Sequence, residues 1–302
     1  MRLPKSVRLN EVGPRDGLQN EPKTVPAAVK IALIEALVDA GMRAIEIGSF
    51  VSPKWVPQMA DTTEVVQGLH RRDGVIYQVL VPNMKGFEAA KAAKVNEIAI
   101  FAAASESFSR RNINCSIEES IARFAPVAES SKQAGISLRG YISCVIDCPY
   151  EGAIEPEAVA DVAARLLALG CREISLGETI GTATPSRILA MLEAVRKKIP
   201  VERLALHCHD TYGQALANIL AALESGIAVF DSSVAGLGGC PYAPGAAGNV
   251  ASEDVVYLLD GLGIDSGIDL GRLARAGRAI GEALGRPPAS KAAQALATKG
   301  SA

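Results

Sequence analysis

The chain has 302 residues, of which 49% are hydrophobic and 21% are charged, and its 31 basic and 33 acidic side chains give a net charge of −2. This length and apolar content allow a large buried core and exclude intrinsic disorder. The balanced charge argues against a nucleic-acid-binding protein, which needs a basic surface. No apolar run reaches the roughly 18 residues of a membrane span, and the amino-terminal residues lack the apolar core of a signal peptide. We therefore expect a cytoplasmic protein with neither nucleic-acid nor membrane partners.

Short runs rich in Val, Ile and Leu alternate with longer helix-like runs along the whole chain. The predicted strands are Val7–Val12, Ala44–Gly48, Val75–Val81, Glu97–Ala104, Ser137–Cys144, Arg172–Gly177, Leu204–His209 and Val229–Val234. They recur about every 32 residues, and eight βα units at this spacing predict a (β/α)8 TIM barrel. A doubly wound open sheet is the alternative, but no G-x-G-x-x-G motif follows the first strand.

Helical periodicity fills the intervals between these strands and continues after the eighth. Val25–Ala40 and Glu155–Leu169 each carry their apolar residues on one face. Beyond the last strand, Ala251–Leu262 should complete the barrel, while Leu270–Leu284 and Ala289–Ala297 should pack across an end or form an oligomer contact. We predict a single catalytic domain over 1–302, with the barrel over about 5–262 and extra C-terminal helices over about 263–302.

A turn controlled by Gly and Pro follows the first strand, where Glu11 to Gln19 reads EVGPRDGLQ. The reactive groups of a (β/α)8 barrel lie where strands end and loops begin. Arg15 beside Asp16 at such a turn suits an anionic ligand and a metal ion. A surface turn with a simple ion pair is the alternative.

Glu46 stands between two isoleucines in the second strand, so strand alternation directs its side chain into the barrel. An unpaired carboxylate in that interior would be costly. We expect Glu46 to contact Arg15 or another donor. Orientation of a neighbour and direct catalysis both remain open as its role.

The seventh strand ends in His207-Cys208-His209, and residues two apart on a strand point the same way. The two imidazoles should therefore face one space, either as a buried polar pair or as ligands of a shared cation. With Asp16 at the same end of the barrel, the metal interpretation is favoured. This donor set suits Mg²⁺ or Mn²⁺, and Fe²⁺ or Zn²⁺ would also satisfy it.

A glycine-rich loop with a cysteine near its centre follows the eighth strand, from Ala235 to Asn249. A thiol there could act as an acid or base if its surroundings lower its pKa. The alternative is that Cys240 is an ordinary small residue at a turn. Asn249 could cap the next helix or offer its amide oxygen to a metal.

Several segments together resemble one family. They are GPRDGLQNE (13–21), SFVSPKWVPQM (49–59), FAAASESFSRRNINCS (101–116), RGYISC (139–144), HCHDTYGQALAN (207–218) and SVAGLGGCPYAPGAAGNVASED (233–254). The chain is similar over nearly its whole length to the 3-hydroxy-3-methylglutaryl-CoA (HMG-CoA) lyases. The resemblance implies a (β/α)8 barrel and a retro-Claisen cleavage that yields acetyl-CoA and acetoacetate, in leucine breakdown and ketone-body formation. It also implies a divalent metal, an acyl-CoA substrate and a homodimer.

The same resemblance assigns roles to individual residues. It makes Arg15 the contact of the developing enolate, Cys240 the catalytic loop cysteine and Glu46 an active-site glutamate, and His207 counts as catalytic as well as metal-binding. The implied metal ligands are Asp16, His207, His209 and Asn249. Substrate contacts are predicted at Arg15, Gln19, Ser49, Thr179, Lys85, Arg111 and Asn112. For Lys85, Arg110, Arg111 and Asn112, proposed anchors of the CoA phosphates, a solvated surface role is the alternative.

One position departs from the family pattern. The sixth strand is followed by Glu178, where these lyases usually carry aspartate. We predict that Glu178 is an active-site carboxylate adapted to its own local backbone. The alternative is a harmless exchange of structural carboxylates.

Three rival functions remain open at the level of sequence. The first is a lyase for a longer-chain 3-hydroxy-3-alkylglutaryl-CoA, such as an isohexenyl analogue. The second is the reverse, condensing reaction of an acyl-CoA with a 2-oxo acid, against which the cysteine loop argues. The third is a barrel that binds a metal or acyl-CoA without catalysis.

Overall fold

A computed structural model of the chain describes residues 3–239 and 248–299, and in it eight parallel strands close into a barrel. The barrel strands are β1 (Arg8–Glu11), β2 (Ala44–Ser49), β3 (Ile76–Leu80), β4 (Glu97–Ala103), β5 (Ser137–Ser143), β8 (Glu173–Glu178), β9 (Leu204–Cys208) and β10 (Val229–Ser232). Their order around the barrel is β1-β10-β9-β8-β5-β4-β3-β2. The predicted TIM barrel is therefore confirmed, and the ends of the predicted strands differ from the observed ones by at most two residues.

Helices follow the barrel strands on the outside. They are α1 (Ala27–Asp39), α2 (Thr62–Gly68), α3 (Met84–Ala92), α4 (Glu106–Ile113), α5 (Ile117–Ala134), α6 (Pro156–Ala168), α7 (Pro185–Arg196), α8 (Ala215–Glu224), α9 (Ser252–Gly261), α10 (Leu270–Leu284) and α11 (Lys291–Lys299). Among the helices described, none combines the length and apolar character needed to cross a bilayer.

One small element was not predicted from the sequence. A two-residue antiparallel pair, β6 (Asp147–Cys148) with β7 (Gly152–Ala153), lies in the connection after β5. Two residues are too few to show strand alternation, so the pattern carried no signal for this pair.

Alternation along the strands separates an apolar core from a polar barrel interior. Ile45, Ile98 and Ile174 belong to one large apolar cluster together with helix residues such as Leu37 and Leu166. Side chains in the alternate positions hydrogen-bond across the barrel, as between Arg139 and Asp231. The hydrophobic core therefore lies mainly between strands and helices, and the interior holds these polar groups together with a few apolar side chains such as Leu80 and Phe101.

The two C-terminal helices pack on the barrel's own elements. α10 lies against α1 and against a short 3₁₀ turn, Val234–Gly236, that follows β10. Next to α11, the Ala289 amide donates to the Ala235 carbonyl at 2.9 Å. The C-terminal segment thus supports the loop that leaves β10.

Candidate active site

A cavity of about 890 Å³ opens at the carboxyl ends of the strands. One side is polar and includes Arg15, Asp16, His207 and His209. The other side is largely apolar and includes Leu80, Phe101, Phe108, Phe124 and Ile142. This combination of an apolar wall with a few convergent polar groups is typical of a small-molecule site.

The turn after β1 brings Arg15 and Asp16 to this cavity. Residues Gly13–Gly17 form a π-helical turn in which Arg15 is buried. The Arg15 Nε donates to Glu46 Oε2 at 2.6 Å, and its Nη1 donates to Asp16 Oδ1 at 2.8 Å. Burial lowers the pKa of the guanidinium, but the carboxylates of Glu46 and Asp16 raise it on balance above its ordinary value. Arg15 is therefore a fixed cation, and its Nη2 has no hydrogen-bond partner within the part of the chain that the structure describes.

Glu46 is fully buried and does contact Arg15, the neighbour expected from strand alternation. Its second oxygen accepts from Gln78 Nε2 at 3.2 Å, and that nitrogen also donates to the Tyr141 hydroxyl at 3.0 Å. Burial raises the pKa of the Glu46 carboxyl, and Arg15 opposes this rise. The geometry makes Glu46 the group that orients Arg15.

Tyr141 lines the cavity and was missed in the sequence analysis. The Arg15 guanidinium lies 5.9 Å from its ring centroid, and the Arg139 guanidinium lies 4.9 Å from it. The alternation that directed Glu46 inward also directs Arg139, Tyr141 and Ser143 inward on β5. That signal was present in the motif RGYISC.

Both histidines at the end of β9 use their Nδ1 atoms for the protein, and neither Nε2 hydrogen-bonds to a residue in 3–239 or 248–299. His207 Nδ1 is 3.3 Å from Asp231 Oδ2, and His209 Nδ1 is 2.8 Å from the Glu178 carbonyl oxygen. Ligand atoms of Asp16, His207 and His209 all lie within 4.8 Å of one another. These three residues could hold a metal ion.

The charges of this cluster shift its pKa values in different directions. Burial lowers the pKa of His207, but Asp231 and Asp16 outweigh it and raise that pKa overall. Burial and the neighbouring His207 lower the pKa of His209 to about 4, so this imidazole is neutral at physiological pH. Burial raises the pKa of Asp16, but Arg15 and the histidines outweigh it and keep the carboxyl ionised. A neutral imidazole and a carboxylate are the forms that bind a metal.

Asn249 completes the cluster through an unused oxygen. Its Nδ2 donates to Asp16 Oδ2 at 2.9 Å and to the Leu237 carbonyl at 3.3 Å. Its Oδ1 is buried without a hydrogen-bond partner among the described residues, a costly state unless a ligand compensates it. The alternative role as a helix cap is wrong, because the N-cap of α9 is Ala251. These four donors, two imidazole nitrogens and two oxygens, could hold a divalent cation.

Some predicted substrate contacts line the cavity and others do not. Gln19, Thr179, Arg111 and Asn112 line it. Ser49, Lys85 and Arg110 are not among its lining residues.

The local structure explains the residues that lie elsewhere. The buried Ser49 hydroxyl accepts from the Val51 amide at 3.1 Å and so serves the loop after β2. Lys85 is exposed in the first turn of α3, and Arg110 forms an ion pair with Glu106 on α4. Lys85 and Arg110 thus fit the solvated alternative.

Glu178 also points away from the cavity, which corrects the prediction that it is an active-site carboxylate. Its neighbours Gly177 and Thr179 line the cavity, and alternation on β8 sends Glu178 outward. Its Oε1 accepts from the Thr182 amide at 3.0 Å, and burial raises its pKa to about 7. Its side chain therefore shapes the loop after β8, while its carbonyl holds His209. Cys240, the predicted catalytic thiol, lies outside the described residues.

Comparison with known proteins agrees with this geometry. Residues 6–280 match the model of the HMGL-like family. A Pseudomonas aeruginosa protein named 3-hydroxy-3-isohexenylglutaryl-CoA/hydroxymethylglutaryl-CoA lyase is 60% identical over 99% of this chain and 100% of its own length.

Solved structures of HMG-CoA lyases also match this chain. The crystal structure of hydroxymethylglutaryl-CoA lyase from Pseudomonas aeruginosa matches with a TM-score of 0.98 and 60% identity, covering 99% of this chain and 100% of that one. An Acinetobacter baumannii HMG-CoA lyase in complex with coenzyme A and 3-methylmalate matches with a TM-score of 0.92 and 39% identity, covering 96% and 95%. The chain therefore belongs to the HMG-CoA lyase family.

Proposed function

We propose that this protein is a carbon–carbon lyase that cleaves 3-hydroxy-3-methylglutaryl-CoA into acetyl-CoA and acetoacetate. The observation that carries the proposal is the joining of a buried arginine, a carboxylate and two histidines at one end of the cavity. The names of relatives up to 60% identical support the same reaction.

Asp16, His207, His209 and Asn249 Oδ1 would hold a divalent metal, for which Mg²⁺ or Mn²⁺ is proposed. Such an ion, when bound, polarises a substrate oxygen and lowers the pKa of a hydroxyl group. The unpartnered Asn249 oxygen and the two available Nε2 atoms support this assignment.

Arg15 would stabilise the charge that develops during cleavage. The substrate hydroxyl loses its proton to a base, its oxygen becomes the ketone of acetoacetate, and the C2–C3 electron pair moves to the thioester as an enolate. Because Glu46 and Asp16 fix the guanidinium, its remaining N–H groups are preorganised for the enolate oxygen. A preorganised donor of this kind contributes about 2.7–4 kcal/mol.

The enolate carbon must then receive a proton, and Cys240 is proposed as the acid. We expect Cys240→Ser to retain the fold and metal affinity but lose most of its turnover. Near-normal turnover in a folded Cys240→Ser protein would remove this thiol from the chemistry.

Arg111 and Asn112 are proposed contacts of the CoA portion, because they line the cavity at the end of α4. The relative bound to coenzyme A supports an acyl-CoA ligand. The cytoplasmic location, the homodimer, the place in leucine breakdown and ketone-body formation, and the union of barrel and C-terminal helices in one catalytic domain remain predictions.

A longer 3-alkyl branch is a second candidate substrate, favoured by the cavity of about 890 Å³ and its apolar wall. The Pseudomonas relative is named for both substrates. An assay of acetyl-CoA release from 3-hydroxy-3-alkylglutaryl-CoA compounds of increasing branch length decides between them. We expect cleavage of the methyl compound, and cleavage only of long-branched compounds would overturn the first proposal.

The same assay tests the remaining rivals. A non-catalytic binding protein would turn over none of the compounds. A condensing enzyme would instead consume acetyl-CoA when a 2-oxo acid is supplied.

A further inference from the structure

Glu11, the last residue of β1, is a fully buried carboxylate that the proposed reaction does not use. Its Oε1 accepts two backbone hydrogen bonds, from the Gly13 amide at 2.7 Å and from the Val234 amide at 2.9 Å. Its Oε2 accepts from the Ser252 hydroxyl at 2.6 Å. One carboxylate thus joins three separate segments of the chain.

These three segments contain or contact Asp16 and Asn249, two residues of the proposed metal site. Gly13 begins the turn that contains Asp16. Val234 begins the turn that leads to Leu237, whose carbonyl accepts from Asn249. Ser252 begins α9, three residues after Asn249.

Glycines of the first turn pack closely against Glu11 and against side chains of the second turn. A Cβ atom at Gly13 would lie 2.6 Å from Glu11 Oε1, and one at Gly17 would lie 2.7 Å from Ser233 Oγ. The side-chain-free surface of the first turn therefore lets the second turn approach closely, and Glu11 fixes the separation between them.

From this geometry we infer that Glu11 is a positioning residue that sets the relative placement of Asp16 and Asn249 for metal binding. The inference rests on the proposed metal site and concerns the shape of Glu11, not its charge. Glutamine keeps that shape, because its oxygen can accept both amides and its nitrogen can donate to Ser252 Oγ. Aspartate keeps the charge but is shorter by about 1.5 Å, so it cannot span both turns.

Mn²⁺ binding, measured by the electron paramagnetic resonance signal of free Mn²⁺, separates shape from charge. We expect Glu11→Gln to stay within about threefold of wild type, while Glu11→Asp and Glu11→Ala weaken binding by at least about tenfold. Faster amide hydrogen exchange in peptides spanning 12–18 and 232–238 should accompany the loss. If Glu11→Ala does not fold, the comparison of Glu11→Gln with Glu11→Asp still separates the effect of shape from the effect of charge.

Glu97→Asp is the matched control, because Glu97 is a buried carboxylate at the opposite end of the barrel that accepts from Arg172 Nε at 2.6 Å. The Glu97→Asp protein should bind Mn²⁺ with the affinity of wild type. Wild-type affinity in Glu11→Asp, or an equal loss in Glu11→Gln and Glu11→Ala, would overturn the inference. If wild-type protein binds no Mn²⁺, the metal assignment fails first and this inference fails with it.

Discussion

The barrel interior holds two buried polar clusters that differ in how completely their groups are paired. The floor cluster, at the amino end of the strands, contains Arg8, Glu173, Arg139 and Asp231. Arg139 donates to Glu173 Oε1 at 2.8 Å and to both Asp231 oxygens, and Arg8 also pairs with Glu173. The mouth cluster, at the carboxyl end of the strands, contains Asp16, His207, His209 and Asn249. Among the described residues, its two Nε2 atoms and the Asn249 Oδ1 have no hydrogen-bond partner.

This difference separates structural charges from functional ones. None of the buried polar atoms that lack a partner among the described residues belongs to the floor cluster, whereas the Asn249 oxygen at the mouth is one of them. Burial of charge alone therefore does not mark the active site. The active site is marked instead by polar atoms without partners that point toward one place, as the Asn249 oxygen does at the mouth.

Asp231 connects the two clusters. It accepts from Arg139 on the floor side, from Ser175 Oγ at 2.7 Å, and from His207 on the mouth side. A carboxylate behind a metal-binding histidine fixes the ring orientation and its tautomer. Changes in the floor cluster should therefore affect metal binding at the mouth cluster through Asp231.

The largest expected effect on stability comes from the floor. Arg139→Met leaves the buried Asp231 without its arginine and leaves Glu173 with Arg8 alone. Removing one partner of a buried pair costs about 3–5 kcal/mol of the free energy of unfolding. Mn²⁺ affinity should stay within about threefold. Urea unfolding and metal titration measure both. Arg72→Met is the control, because Arg72 and its partner Asp39 are both about half exposed and their ion pair should contribute at most about 1 kcal/mol.

Removal of a mouth ligand should give the opposite result. Asp16→Ala and His207→Ala each delete a donor of the metal cluster, so Mn²⁺ affinity should fall by about 100-fold or more, with activity falling too. Calorimetric titration gives the affinity and circular dichroism the fold. Unchanged affinity in both variants would contradict the ligand assignment.

A smaller effect is expected where the clusters meet. Asp231→Asn weakens the hold on His207, and we expect a loss of about tenfold in Mn²⁺ affinity. The test is a double-variant comparison with His207→Ala. If Asp231 acts through His207, the second substitution adds nothing to the first, whereas full additivity would argue against the connection.

The two regions should also respond oppositely to pH. Arg139 and His207 outweigh burial and lower the pKa of Asp231, so its stabilising effect is lost only in strong acid. Burial raises the pKa of Glu253, which holds the Ala235 amide behind the mouth, to about 8.

Between about pH 5 and 8 the folded protein thus keeps a proton on Glu253 that the unfolded chain releases, and stability falls as the pH rises. The slope is at most about 1.4 kcal/mol per pH unit. Urea unfolding across this range should show a flatter dependence for Glu253→Gln than for wild type. An identical slope in both proteins would contradict the assignment.

The smallest effect is expected for Glu178→Asp. The shorter carboxylate would lose its bond to the Thr182 amide and loosen the loop that positions the His209 contact. We expect a lower kcat by a few-fold, well below the roughly 10²-fold that a displacement of 1 Å in the chemistry can cost. A kcat equal to or above that of wild type would show that Glu178 has no such role.

The sequence predicted the barrel because strand and helix periodicities repeat eight times, a signal that errors at single residues cannot hide. It also brought together Asp16, His207 and His209, because parallel strands place their ends on one side. The inward position of Tyr141 follows from the same strand alternation as that of Glu46, whereas the contact of Glu178 with the Thr182 amide required the three-dimensional structure. The role of Glu11 was invisible, because its partners are 2, 223 and 241 positions away and two of its contacts are backbone amides that any sequence would have.

The most direct test of the account is the product ratio of one reaction with and without metal. Purified protein should convert 3-hydroxy-3-methylglutaryl-CoA into acetyl-CoA and acetoacetate in equal amounts when Mg²⁺ is present. EDTA should abolish the reaction, and added Mg²⁺ should restore it. Equal rates in EDTA would contradict the metal site, and absence of either product would contradict the proposed cleavage.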